Sequence, residues 1–177
     1  MNLLPLSFYE RPTVDVARDL IGKQLVRVIG NTIITGIITE TEAYGFADDP
    51  ASHTHQGLTK RNKVMFGPVG RSYIYFIYGM YYCLNVVAKE KNVQAGGVLI
   101  RSLSSVTGIP SVQSLNGPGN ICKALQLTLA HNDIDMTQKG TLYITQGIKI
   151  APEAVHATKR IGISKAQEHL WRFVHKK

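Results

Sequence analysis

The sequence predicts an α+β fold in one domain covering residues 1–177, with strands and helices sharing a single core. Two long β-prone stretches each break at a turn signal, Gly30-Asn31 in the first and Tyr78-Gly79-Met80 in the second, and so read as hairpins. Two short helical patterns stand apart from them, and no internal repeat or low-complexity linker divides the chain. A length of 177 residues with 44% hydrophobic content suits one ordinary domain and is enough to bury a sizeable core.

The first helix follows Pro12. In VDVARDLIG, Val14, Ala17 and Ile21 recur at helical spacing, and Gly22 is placed to stop the run. Val, Ile and Thr then dominate residues 24–44 on either side of Gly30-Asn31, which makes a hairpin. A strict period of two would put Ile38, Glu40, Glu42 and Tyr44 on one face of its second strand, and Ile37, Thr39, Thr41 and Ala43 on the other. Residues 45–70 show no steady period and are rich in Gly, Pro, Asp, His and cations, so they read as a long loop with irregular turns. Loops of that length inside a domain are usually functional. The second hairpin follows over residues 71–89 with Tyr78 near its tip, then a strand in GGVLIRSL. A helix in NGPGNICKALQLTLAH opens on a Gly-rich turn, with Ile121, Ala124, Leu125 and Leu127 at helical spacing. TLYITQG is a further strand, and the chain closes through RIGISKAQEHLWRFV.

Charge gives the first functional indication. Twenty Lys and Arg against twelve Asp and Glu leave a net charge of +8, which favours an anionic partner. The cations are dispersed, and the closing Lys176-Lys177 reads as a solvated end. No run of about 18 apolar residues is present, and the opening MNLLPLSFYERP is unlike a secretory signal, so the expectation is a soluble cytoplasmic protein with no membrane association. Cys83 and Cys122 sit in apolar surroundings and read as buried thiols, not as a disulfide or metal framework.

Several residues could carry chemistry. Glu42 lies at a strand end facing the long loop, where a carboxylate can serve as a general base or simply as a strand-end ion-pair partner. Glu40 on the same predicted face raises the alternative of a glycosidase-like acid pair. His53 and His55 have a spacing that could align two imidazoles for a metal, with Asp48 or Asp49 as a third ligand, although loop hydrogen bonding or base stacking is the simpler reading and no metal is expected. Tyr73, Tyr75, Tyr78, Tyr81 and Tyr82 crowd within ten residues of a chain that has eight tyrosines. An aromatic at a hairpin tip cannot be in the core. Tyr78 beside Gly79 therefore fits a wedge for a base stack, and Lys60, Arg61, Lys63 and Arg71 flank the segment as phosphate-reading cations. Basic flanks with interleaved aromatics favour a nucleic-acid surface. Asn85 and Arg101 are polar residues in apolar strands. If buried, both need partners, and a carboxylate such as Glu42 suits Arg101.

These residues lie in motifs that resemble the alkyladenine (3-methyladenine) DNA glycosylases. ARDLIGKQLV, TETEAY with the downstream His53, RN-x3-F, YIYFIYGMYYCLN, GVLIRSL, NGPGNICKAL and RIGIS with WRFV occur in the family's order and approximate spacing. The similarity spans nearly the whole chain. It implies a curved, mainly antiparallel sheet with flanking helices and a protruding β-hairpin that inserts into DNA. It also implies excision of alkylated or deaminated purines from double-stranded DNA by a monomeric, monofunctional enzyme that needs no cofactor. Glu42 matches the general base that activates water. Arg101 and the backbone carbonyl of Ile161 match groups that hold that water. Tyr44, with His53 and Tyr75 opposite, matches the stacking walls of the base pocket, and Asn85 matches the residue that collides with the guanine amine. Tyr78 matches the side chain filling the gap left by the flipped nucleotide, and Arg61 and Lys123 are placed to contact DNA. Asn120 stands where many members have Lys, which leaves that phosphate contact weaker or passes it to Lys123. A non-catalytic lesion-binding module is the alternative from a different class.

Overall fold

The computed structural model describes residues 2–109 and 115–175; the Lys176-Lys177 pair lies outside the described residues. Its framework is a curled antiparallel sheet. The β-branched run over 24–44 forms β1 (Gln24–Ile29) and β2 (Thr32–Tyr44), paired antiparallel around a turn in which Gly30 has φ 55°. The second hairpin is β3 (Ser72–Ile77) and β4 (Tyr81–Val87), followed by β5 (Gly97–Thr107), β6 (Leu142–Thr145), β7 (Val155–Thr158) and β8 (Arg172–His175). The main path runs β3-β4-β5-β2-β1-β6, with β8 joining β2 to β7. The C-terminal half of β2 is thereby flanked by β5 on one side and by β8, at Glu40 to Glu42, on the other.

Strict alternation does not hold along β2. Ile34 and Ile38 belong to the main core, and so does Ala43, which has the opposite parity. The change of phase lies where the β2–β5 register shifts, between Ile38 and Glu40 and again between Glu40 and Thr41. Thr39 on β2 and Arg101 on β5 have no partner in that ladder. Such bulges bend a strand and re-aim its side chains, and they are common beside active sites. Here they let Ile38 pack inward while Glu40 and Glu42 still share the opposite face.

Thr41, on the core side, is fully buried, and its hydroxyl donates to the carbonyl of Ala17 at 2.7 Å. Ala17 lies on α2, which follows α1 (Leu6–Tyr9) and spans Thr13–Asp19. The helix ends before the predicted stop, and Val16 and Ala17 are the residues it buries. Gly22 then turns the chain with φ 87°, at a point where an added Cβ would lie 2.7 Å from the Ile148 carbonyl. α3 (Lys63–Phe66) is the one helical turn inside the long loop. α4 (Pro118–Ala124) opens at Gly117 as predicted but stops at Ala124, and Gln126 adopts φ 50°. Each Leu or Ile fully buried in this core contributes about 1.5–3 kcal/mol relative to exposure. No helix among the described residues is long and apolar enough to cross a membrane.

Candidate active site

The bulged end of β2 carries a carboxylate held from three sides. Glu42 is completely buried. Its Oε1 accepts the backbone N–H of Ile161 at 2.8 Å, and its Oε2 accepts the Tyr44 hydroxyl at 2.8 Å and Arg101 Nη1 at 3.4 Å. Burial pushes its carboxyl above the ordinary value of 4.5; Arg101, the Ile161 amide and the Tyr44 hydroxyl act against that rise, while Glu40 adds to it. Burial, reinforced by Glu42, holds the Tyr44 phenol well above its normal range, so Tyr44 keeps its proton and acts as the donor. Arg101 is shared: its Nε donates to Glu40 Oε1 at 3.0 Å, and the same oxygen accepts Arg172 Nε at 2.6 Å.

Tyr44, Arg101 and Ile161 all line one cavity of about 510 Å³. Glu42 stands one contact behind its wall. Much of the remaining lining is aromatic, with His53, Tyr73, Tyr75, Tyr78 and Tyr81. His53 and Tyr75 meet edge to face with centroids 4.6 Å apart, and His53 Nδ1 shares a hydrogen bond with the Tyr73 hydroxyl at 3.0 Å. Desolvation by the packed rings, helped by Arg61, pushes the His53 imidazole down to about 4, so it is neutral at physiological pH. Asn85 is buried at the cavity edge, with its amide donating to the Tyr73 carbonyl at 3.0 Å. A cavity with an apolar aromatic wall, a few convergent polar groups and a carboxylate of raised pKa is the expected form of a site for a flat, partly polar ligand.

Comparison with known proteins decides the family. Residues 7–177 match the methylpurine-DNA glycosylase family. The chain belongs to it. Among its relatives, proteins of Ehrlichia chaffeensis and Wolbachia pipientis wMel are each 48% identical over 172 residues, covering 97% of this chain and 92% and 91% of their own lengths. A protein of Carboxydothermus hydrogenoformans is 42% identical over 181 residues, covering 97% of this chain and 94% of its own. All three are named provisionally as 3-methyladenine DNA glycosylases. Membership makes this methylpurine-DNA glycosylase homologue a hydrolase of DNA repair, with DNA as its substrate.

The sequence-predicted residues of the glycosylase thus fall into two groups. Glu42, Arg101, Ile161, Tyr44, His53, Tyr75 and Asn85 converge on or directly behind the cavity wall. Tyr78 is 77% exposed at the hairpin tip with φ 55°, and it borders the same cavity. Arg61 sits over the Tyr75 ring at 5.2 Å. Lys123 is exposed on α4, outside the lining, whereas Asn120 is within it and donates to the Asn116 carbonyl. Arg71 turns away from the hairpin to the Asp133 carbonyl and Asp135.

Sequence reading of the residues missed the roles of Asp49 and Arg160. Asp49 is not spare ligand capacity: both its oxygens receive Arg160 at 2.7 Å, and they also accept the N–H groups of Gly45 and Ala51. The Arg160 guanidinium lies 4.8 Å from the centroid of the Tyr44 ring and donates to the Ala43 carbonyl. One dipeptide therefore backs the pocket wall with the Arg160 side chain and reaches Glu42 with the Ile161 amide. An Asp and an Arg separated by 111 residues carry no pairing signal in a single sequence.

Proposed function

We propose that the enzyme excises alkylated or deaminated purines, of the 3-methyladenine, 7-methylguanine, hypoxanthine and ethenoadenine type, by turning the damaged nucleotide out of duplex DNA and hydrolysing its N-glycosidic bond. The observation that carries this reading is the buried Glu42, whose three hydrogen-bonding partners all line the aromatic-walled cavity. The loosest of the three contacts is Arg101 at 3.4 Å. A water entering beside Arg101 and the Ile161 carbonyl would lose a proton to Glu42 as its oxygen bonds to C1′ of the deoxyribose, and the base departs with the electrons of the C–N bond. The carboxylate also faces the positive charge that develops on the sugar.

The remaining roles follow from position. Tyr44 would stack on one face of the base, with His53 and Tyr75 on the other. A neutral imidazole and aromatic faces accept a cationic base, an attraction of about 0.5–2 kcal/mol for each ring. Asn85 would collide with a guanine-type amine. Tyr78 would enter the base stack in place of the flipped nucleotide, whose unstacking costs a few kcal/mol and least at damaged sites. Arg61 and Lys123 would contact phosphates. No lysine nucleophile is invoked, so the strand stays intact, and one chain contains every group named.

Glu42→Gln tests the reading. It should bind hypoxanthine-containing duplex as the parent does and release base about 10²–10⁴-fold more slowly in single turnover. Excision at the parental rate would remove Glu42 as the base. Tight lesion binding with no excision by the parent itself would leave only a lesion-binding module.

A further inference from the structure

Glu40, the first acid of TETEAY, has no part in the scheme above. Its Oε1 nevertheless accepts two guanidinium groups, Arg101 from β5 at 3.0 Å and Arg172 from β8 at 2.6 Å, and its side chain is only 15% exposed. Glu40 is absent from the cavity lining, whereas Arg101 is part of it. Arg101 stands closer to Glu40 than to Glu42, at 3.0 against 3.4 Å, and uses Nε for one and Nη1 for the other. Arg172 is held in turn by the Thr158 hydroxyl, which accepts its Nη1 at 3.1 Å.

We propose that Glu40 is a positioning residue of the glycosylase reaction: it holds Arg101 by Nε and draws that charge away from Glu42, so that Glu42 remains an unconsumed base. The inference rests on the function proposed above. Its physical basis is competition between two carboxylates for one cation. An Arg free to pair with Glu42 alone would form the short, charge-assisted contact typical of such pairs, stabilise the carboxylate and weaken it as a proton acceptor. Glu40 removes that option, and its own negative charge adds to the basicity of its neighbour. The charged and titratable groups facing Glu42 are Arg101 from β5, Tyr44 and Glu40 from β2, and Cys83 from β4, together with the Ile161 amide. Arg172 faces Glu40 and sets how much of the Glu40 charge is left for Arg101.

The geometry gives two variants opposite signs. In Glu40→Gln, Arg101 falls wholly to Glu42, so the acid limb of the excision rate should move to lower pH and the plateau rate should drop about tenfold. In Arg172→Gln, Glu40 is less neutralised and holds Arg101 more firmly, so the acid limb should move to higher pH. Glu40→Asp keeps the charge and should restore most of the plateau rate. Single-turnover rates on hypoxanthine-containing duplex across the acid-to-neutral range, with the unfolding midpoint of each variant, read all three. Acid limbs that coincide with the parent's, or that move in the same direction in Glu40→Gln and Arg172→Gln, overturn the inference, as does a plateau loss with no movement of the limb. If Glu40→Gln fails to fold, the Arg172→Gln shift decides. A Glu42→Gln variant that still excises would instead bring down the underlying mechanism, which keeps the two failures distinct.

Discussion

Two carboxylates from one short window, Glu42 and Asp49, are both fully buried against an arginine, and they are bonded in contrasting ways. Asp49 is saturated: Arg160 clasps it with two bonds of 2.7 Å, and two backbone amides complete its acceptor positions. Glu42 has one short amide contact, one phenol and one long guanidinium contact. Burial is common to both and does not distinguish the proposed base from a buttress. What distinguishes them is unspent acceptor capacity next to a cavity, together with a weakly engaged cation.

The largest expected separation between the two sites is in rate. Glu42→Gln should lose about 10²–10⁴-fold in excision while its urea midpoint is unchanged or raised, since a buried anion has been removed. Asp49→Ala should do the reverse in kind, costing about 3–5 kcal/mol in urea unfolding because Arg160 is left buried and unpaired. Stability should largely return in Asp49→Leu/Arg160→Met, because replacing both partners of a buried pair by apolar groups is often neutral. Full activity in that double variant would show that the clamp behind Tyr44 serves stability alone.

A pH measurement sharpens the comparison further. Because the Glu42 carboxyl is raised in the fold, excision should fall with acid at a midpoint above the ordinary 4.5. The sign for stability is opposite: the protonated carboxyl is favoured by the fold, so its contribution is present below the ordinary value and is lost as pH rises through the raised one. Glu42→Gln should flatten that dependence, and unfolding curves with identical slopes against pH in both proteins would contradict it. The smallest expected effect is at Asn85. Asn85→Ser should gain a few-fold in release of bases carrying a guanine-type amine, measured on a lesion panel, and unchanged discrimination would take Asn85 out of selectivity.

Much of this molecule was legible in the sequence for identifiable reasons. The hairpins announced themselves through β-branched runs broken at Gly30 and Gly79, and Tyr78 through its place at a tip. Helical spacing found the start of α4 but overran its end, because Leu125 and Leu127 are buried without helical backbone. β7 was missed: VHAT has two exposed central residues and pairs only because β8 lies beside it. Within the site, Arg101 could be assigned a carboxylate because a charged residue in an apolar strand needs one. That it has two, and that Asp49 is committed to Arg160, depends on contacts between distant segments that local pattern does not encode.

The unpaired Thr39 and Arg101 also constrain how this strand can change. Most strands tolerate substitution position by position, but β2 contains a phase inversion: even-numbered residues face the core up to Ile38, and odd-numbered ones face it from Thr41 onward. Deleting Thr39 itself would only restore strict alternation, with Ile38 and Thr41 still inward and Glu40 and Glu42 still outward. Deleting a residue after the inversion, such as Thr41, would act like a reading-frame slip in three dimensions, turning Glu42 into the oil and bringing Ala43 out to face Arg101.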